Sequence, residues 1–277
     1  MQNPLIKKAS ASFVVLTWNS LKYIETCLTS ILQLPFKKIR IFVVDNGSVD
    51  GSQNLVKDIA ASNSEIKLIS LDRNIGTTRS RNLALRMVSA DTDYVCIIDS
   101  DTQVGAEAFS SMVEQLNRDT GHAIGLVGPR MHNQRGEYQL SGRNLPTLGI
   151  KLRKVFPAKS IKRQGAFMEI PQTSVNNGLQ DVPYLLSACW LMPYSTLKTV
   201  GLLDENIFYA PEDVDYCVRV HRAGLRVVFC PEADIMHDYQ RISQHRFFSR
   251  MNLRHISGLS YYFRKYHYLF NARKALL

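Results

Sequence analysis

Long hydrophobic runs are missing from this 277-residue chain. The longest, Phe13 to Leu16, Ile41 to Val44 and Tyr94 to Ile98, fall far short of the ~20 apolar residues that span a bilayer. No membrane-crossing segment is expected. The opening stretch MQNPLIKKASASFVVLTW carries two lysines but neither an adequate apolar h-region nor a small-residue cleavage site, so no signal peptide is expected either. None of the five cysteines (Cys27, Cys96, Cys189, Cys217, Cys230) stands in a CxxC pair, and four lie inside apolar runs, which reads as buried thiols in a reducing compartment. The phosphate-binding patterns GxGxxG and GxxxxGK followed by Ser or Thr are absent, which removes support for a dinucleotide-dependent dehydrogenase or a P-loop enzyme. At 21% charged and 45% hydrophobic residues the chain has too little charge and too much apolar material to be disordered. Its length suits one or two domains.

Acids are scarce in two places, and the net charge of +10 resides there. Arg135 to Arg163 holds eight basic residues against Glu137 alone, and from Arg241 to the C-terminus eight more Lys or Arg occur with no acid. The rest of the chain is net acidic. Basic character therefore belongs to two segments and not to the main body.

What is present is a repeating rhythm: a short β-branched run, a turn rich in Asn, Asp, Gly or Ser, then helical spacing. Strands are expected at Ser12 to Trp18, Ile39 to Asp45, Ile66 to Leu71, Tyr94 to Ile98 and Ala123 to Val127, nearly continuous as in parallel strands buried on both faces. Between the first two, Leu21, Ile24, Leu28, Ile31 and Leu32 recur at helical intervals behind a capping Asn19 or Ser20. Such alternation predicts an α/β fold with a mostly parallel sheet, in which ligands bind at the carboxyl ends of the strands. That rule selects four polar turns: Thr17-Trp18-Asn19, Asp45 to Ser48, Asp72 to Gly76, and Asp99-Ser100-Asp101. Residues 131–181 break the rhythm with Pro146, Pro157 and Pro171 and read as an insertion or flexible loop. Regular signals return as a strand at Tyr184 to Met192, a helix from Pro211 to Ala223 ended by Gly224, and a strand at Arg226 to Cys230.

Two acidic groups could carry chemistry. Asp99 and Asp101, two residues apart at a strand's carboxyl end, can share a hard divalent cation whose shell is completed by substrate phosphates and water, though acids at a strand end also serve as solvated or capping groups. Ala210-Pro211-Glu212-Asp213-Val214-Asp215 reads as a helix start, since proline fits the first turn and the dipole favours acids there. The same dipole would keep Asp213 ionised for use as a general base. His237 is either a metal ligand or a satisfied polar side chain.

Taken in order, these pieces resemble glycosyltransferase family 2, inverting enzymes of the GT-A fold, over most of residues 12 to 240. The resemblance rests on the first strand ending in Thr17-Trp18-Asn19, Val44-Asp45-Asn46-Gly47-Ser48 with Asp50-Gly51, Asn74 and Gly76, and Arg81-Asn82. It continues through Asp99-Ser100-Asp101, Gly201 with Asp204-Glu205, Glu212 to Asp215, Arg219, Gly224, Pro231, Ala233 and His237. The pattern His237 to Ser243, with a later Phe263-Arg264-Lys265-Tyr266, is similar to bacterial rhamnosyltransferases that build surface polysaccharides. The resemblance implies a nucleotide-sugar-binding half (1–130), an acceptor and catalytic half (182–240) and a basic, aromatic C-terminal extension (241–277). It implies a donor of the UDP- or dTDP-sugar kind, dTDP-rhamnose included, with Asp45 accepting the ring N–H of a pyrimidine. Thr17, Trp18, Asn19, Asn46, Arg73, Asn74, Gly76, Arg81, Asp99 and Ser100 would line the donor. Mg²⁺ or Mn²⁺ would sit on Asp101 and Asp99 with His237. Asp213 would be the general base, Glu212 the second choice, and Trp190 and Arg241 would meet a glycan or lipid-linked glycan acceptor. Cytoplasmic localisation is expected, with peripheral attachment of the aromatic, basic C-terminal segment to an anionic membrane surface at the inner face of the cytoplasmic membrane.

Other classes fit less well. A dehalogenase-type phosphatase needs Thr or Val two places after its DxD, on the first strand, and here Gln103 follows on the fourth. The basic segments carry no RNA-binding motif, and unscreened acids at 99, 101 and 213 would repel phosphates, so nucleic acid is not expected as a partner. A catalytically silent sugar-binding module would not need both the metal-type and the base-type acids.

Overall fold

The structure is a computed structural model and describes residues 4–118, 123–173, 175–176, 179–238 and 250–277. Its first half alternates as the sequence pattern requires: β1 (Ser10–Thr17), α1 (Ile24–Leu32), β2 (Lys38–Asp45), α2 (Ser52–Ser62), β3 (Ile66–Ser70), α3 (Thr77–Leu85), β4 (Tyr94–Asp99), β5 (Thr102–Gln103), α4 (Ala106–Asn117) and β6 (Ile124–His132). The second half adds β7 (Tyr138–Gln139), β8 (Gly142–Arg143), α5 (Leu148–Val155), α6 (Lys159–Phe167), β9 (Val175–Asn176), β10 (Leu179–Asp181), β11 (Tyr184–Leu185), β12 (Cys189–Pro193), α7 (Tyr194–Val200), α8 (Glu212–Arg222), β13 (Arg226–His237) and α9 (Arg250–Lys265).

One large sheet runs in the order β3-β2-β1-β4-β12-β6-β13-β10-β9. The first four strands pair parallel, as do β6 and β13, while β12 enters antiparallel between β4 and β6. The two halves of the chain thus share one sheet. Alternate side chains of each strand feed two cores. Phe13, Val15, Ile41, Val43 and Ile98 meet α1 and α4 on one face. Val14, Val44 and Ile97 join α8 and α9 on the other. Burial on both faces explains why these strands read as unbroken apolar runs. All five cysteines are buried and unpaired.

Several local expectations are corrected. Helix α1 begins at Ile24, a turn later than the apolar spacing suggested, and neither Asn19 nor Ser20 caps it through a side chain. Leu21 is exposed outside it, and the Asn19 side chain instead accepts from the Val49 amide. The single strand expected at Tyr184 to Met192 is two: β11 pairs with β8 in a separate two-stranded sheet, and β12 joins the main one. Strand β13 continues past Cys230 to His237 through a bulge between Cys230 and Asp234. Residues 131–181, read as an insertion or flexible loop, carry α5 and α6. Of the C-terminal aromatics expected to meet a membrane, Tyr262, Phe263, Tyr266 and Tyr268 instead enter the core, Phe270 is exposed, and Phe247 and Phe248 lie outside the described residues. No described helix is long and apolar enough to cross a membrane.

Candidate active site

Strand register places the first group of polar residues. Thr17 pairs with Asp45, and Leu16 with Asp99, so the carboxyl ends of β2, β1 and β4 form one edge. At that edge Asp45 is fully buried; its Oδ1 accepts from the Ser48 amide at 2.9 Å, whereas Oδ2 has no partner among the described residues. The neighbouring Thr17 Oγ1 is likewise buried and unpartnered. Orphaned polar atoms of this kind cost folding free energy, and two at one strand edge make a cradle for a ligand's polar groups. Trp18 and Asn19 are half-buried beside it, and Arg73 lies exposed at its rim.

Asn46, Asn74 and Ser100 are at the same edge, but their polar atoms are engaged within the protein. The Asn46 amide donates to Asn74 Oδ1 at 3.2 Å, and its Oδ1 accepts from Ile75 N and Ser80 Oγ. Ser100 Oγ bonds Ser20 Oγ at 2.9 Å. These residues shape the loops around the cradle. Gly76 has φ of +96° and packs so closely on Phe208 that a Cβ would lie 2.5 Å from the Phe208 carbonyl oxygen, so no other residue fits that turn.

Asp99, Asp101 and His237 come together although 136 residues separate Asp101 from His237 in the chain, because β5 pairs with the end of β13, Thr102 opposite His237. One ligand atom from each lies within 4.8 Å of the others. His237 Nε2 is 3.3 Å from Asp101 Oδ1, and its Nδ1 bonds Gln139 Oε1, which fixes the ring with Nε2 toward the acids. Burial would favour the neutral ring, but Asp101 and Asp99 outweigh it and hold the His237 pKa above its ordinary value. Two carboxylates and an oriented imidazole suit Mg²⁺ or Mn²⁺.

The second acidic group is joined to the first by one buried cation. Arg81, 1% exposed, reaches Asp99 Oδ1 at 2.6 Å and Glu212 Oε1 at 3.3 Å, and Ser187 Oγ also bonds Glu212 at 2.9 Å. The two terminal nitrogens of Arg81 also donate to Ser187 Oγ and O at 3.0 and 3.3 Å, while its Nε has no partner among the described residues. Burial, and next the charge of Asp213, push the Glu212 pKa up to about 8 despite Arg81. Asp213 is half-buried, and its one described hydrogen bond is from the Val214 amide, at the first turn of α8. Burial raises its pKa as well, while Arg143, Lys151 and Arg81 oppose the rise.

A family model for glycosyl transferase family 2 matches residues 12–174, more than half of the chain. The chain belongs to glycosyl transferase family 2. It is 24% identical over 233 residues, 81% of this chain and 74% of the other, to the N-acetylglucosaminyl-diphospho-decaprenol L-rhamnosyltransferase of Mycobacterium tuberculosis. Its fold is similar to a mannosyltransferase from Pyrobaculum calidifontis in complex with GDP-Man and Mn²⁺, with TM-score 0.64 and 17% identity, covering 96% of this chain and 66% of that one. It is also similar to S. aureus TarS in complex with UDP-GlcNAc, with TM-score 0.59 and 19% identity, covering 86% and 61%. The chain therefore spans less than two thirds of those two solved chains. The fold of this family 2 glycosyltransferase is GT-A, as the order of its motifs implied.

Not every residue assigned from sequence serves the site of this glycosyltransferase. Trp190, assigned to the acceptor, is fully buried and stacks on Tyr216 at 5.6 Å between centroids. It offers an acceptor no surface. Arg241 lies outside the described residues. Conversely, Gln139, Arg143 and Lys151, which bear on His237 and Asp213, were not singled out one by one. The basic block Arg135 to Arg163 was the only sequence signal near them.

Proposed function

We propose that this glycosyltransferase moves a sugar, with inversion, from a UDP- or dTDP-sugar, dTDP-rhamnose among the candidates, to a hydroxyl of a glycan or lipid-linked glycan in surface polysaccharide synthesis. It would act in the cytoplasm at the inner face of the membrane. The observation that carries the reading is the Arg81 bridge, which ties the donor-side acid Asp99 to the acid pair at α8. Asp45 Oδ2 and Thr17 Oγ1 would receive the polar edge of the base; uracil and thymine share a ring N–H there. The similarity to the mycobacterial N-acetylglucosaminyl-diphospho-decaprenol L-rhamnosyltransferase favours a lipid-linked acceptor and a deoxyhexose.

Asp213 would take the proton from the acceptor hydroxyl as its oxygen bonds the anomeric carbon and the bond to the nucleoside diphosphate breaks. No covalent enzyme intermediate forms. Glu212, its pKa pushed up to about 8 and its carboxyl fixed by Ser187 and Arg81, would remain a positioning residue beside the base Asp213. A divalent ion on Asp99, Asp101 and His237 would supply charge neutralisation for the departing diphosphate.

The test is a panel of nucleotide sugars with Mn²⁺ or Mg²⁺, scored for binding and for slow donor hydrolysis, followed by transfer to lipid-linked acceptors. Asp213→Asn should leave donor affinity unchanged while transfer falls by about 10²–10⁴. Wild-type transfer by Asp213→Asn, together with loss in Glu212→Gln, would move the base by one residue.

A further inference from the structure

Helices α5 and α6 form a hairpin packed tightly enough that a Cβ on Gly165 would lie 2.9 Å from Arg153 Cβ. Its outer surface keeps large apolar side chains in solvent: Leu152, Val155, Phe156 and Phe167 are 56%, 62%, 50% and 61% exposed. Between them stand the exposed Lys159, Lys162 and Arg163 and the half-buried Arg153, and the hairpin's acid, Glu169, is buried and neutralised by Arg143 and Lys154. The N-terminal part of α9 likewise exposes Leu253 and Ile256. Exposed aromatics and aliphatics among cations, with no outward acid, are the composition of an element that lies in a membrane interface.

We propose that the α5–α6 hairpin, with the start of α9, docks the enzyme on an anionic bilayer and so brings a lipid-linked acceptor to Asp213. Charge complementarity selects this occupant. A second copy would set Arg153, Lys159, Lys162 and Arg163 against the same four cations, whereas anionic headgroups neutralise them while the Phe and Leu side chains enter the acyl boundary. The position is apt because Glu169 ties Lys154 of α5 to Arg143 of β8, whose partner strand β11 bonds α8 through the Leu185 amide and Cys217 Sγ, so the hairpin adjoins the helix that carries Asp213. Only the lipid-linked acceptor is taken from the function proposed above; donor chemistry stands without it.

Cosedimentation of the full chain with phosphatidylcholine vesicles, with and without phosphatidylglycerol, tests the assignment. Binding should require phosphatidylglycerol, weaken at high salt, and fall about tenfold or more in Phe156→Ser/Phe167→Ser, with vesicle-free donor hydrolysis unchanged. Lys159→Glu/Lys162→Glu, at exposed positions, should lower binding by a similar factor and settles the matter should the apolar variant misfold. Binding that is absent in the wild type, or retained in the charge-reversal variant, overturns the proposal. So does a wild-type dimer that the Phe156→Ser/Phe167→Ser variant dissolves, because the face would then be a contact between copies. Absent vesicle binding with intact donor hydrolysis leaves the transferase standing; absent donor hydrolysis in the wild type counts against the transferase instead.

Discussion

Glu212 and Asp213 are adjacent in sequence and alike in chemistry, yet their surroundings separate them. Glu212 is 6% exposed and held by Ser187 and Arg81, while Asp213 is half-buried, bonded by the Val214 amide and subject to the charges of Arg143 and Lys151. Because the Glu212 pKa rises from 4.5 to about 8 on folding, the folded state binds this proton more tightly than the unfolded chain does. The associated stability is fully present below about pH 4.5 and is lost as pH rises through about 8. Thermal unfolding of the wild type should therefore show Tm falling between pH 5 and 8, and Glu212→Gln should flatten that fall. An identical slope in the variant would refute the assignment of the proton to Glu212. On the donor side, Asp101→Ala should abolish transfer at any Mn²⁺ or Mg²⁺ concentration, and full turnover by that variant in excess chelator would show that the cluster is not a metal site.

Elements position these side chains through contacts that neighbouring sequence does not reveal. Asn82 of α3 exchanges two hydrogen bonds with Leu203, at 2.9 and 3.0 Å, and also reaches Glu205, which clasps the loop ahead of α8. Helix α9 closes the same region from the other side. Lys265 bridges Asp204 and the fully buried Asp215, at 2.6 and 2.5 Å, and Tyr266 donates to Asp215. The two elements touch at Gly258, where a Cβ would stand 2.2 Å from the Ala210 carbonyl oxygen. Alanine is the better helix former by about 1 kcal/mol, so propensity alone would make Gly258→Ala stabilising. Overpacking against backbone should win and cost about 1–3 kcal/mol, and displacement of Ala210 should carry the Glu212-Asp213 pair out of place. Urea unfolding and kcat/KM of Gly258→Ala measure both, and a more stable, fully active variant would show that α9 does not set the acids.

At the scale of the molecule, the chain's last stretch is structural. Tyr262, Phe263, Tyr266 and Tyr268 are buried in the core that holds Val214, Val218 and Trp190, and Tyr268 donates to the Pro146 carbonyl at 2.8 Å, tying the end of the chain to the start of α5. Burial of each such side chain stabilises by about 1.5–3 kcal/mol, so four of them are comparable with the ~5–15 kcal/mol net stability of a domain. A chain lacking residues 250–277 should therefore lose cooperative unfolding and near-ultraviolet circular dichroism, not merely a surface attachment. Retention of a sharp transition by that truncation would contradict this placement.

Strand composition and turn chemistry determined the parallel half by themselves. β-branched runs between Asn, Asp and Gly turns allow little else, and parallel sheets gather their loops at the carboxyl ends, which is why the shared edge position of Asp45, Asp99 and Asp101 was legible. The helix start at Glu212 was legible for the same local reason: proline and acids suit a first turn. Tertiary structure alone decided which acids meet. Pairing of β5 with β13 brings His237 to Asp101, and burial turns Arg81 from a donor contact into the strut between Asp99 and Glu212. It also decided that β12 runs antiparallel inside the sheet with Trp190 in the core, and that Tyr262, Phe263, Tyr266 and Tyr268 face inward. These outcomes depend on contacts between residues far apart in the chain, and hydrophobic periodicity reports which side chains seek burial without saying against what.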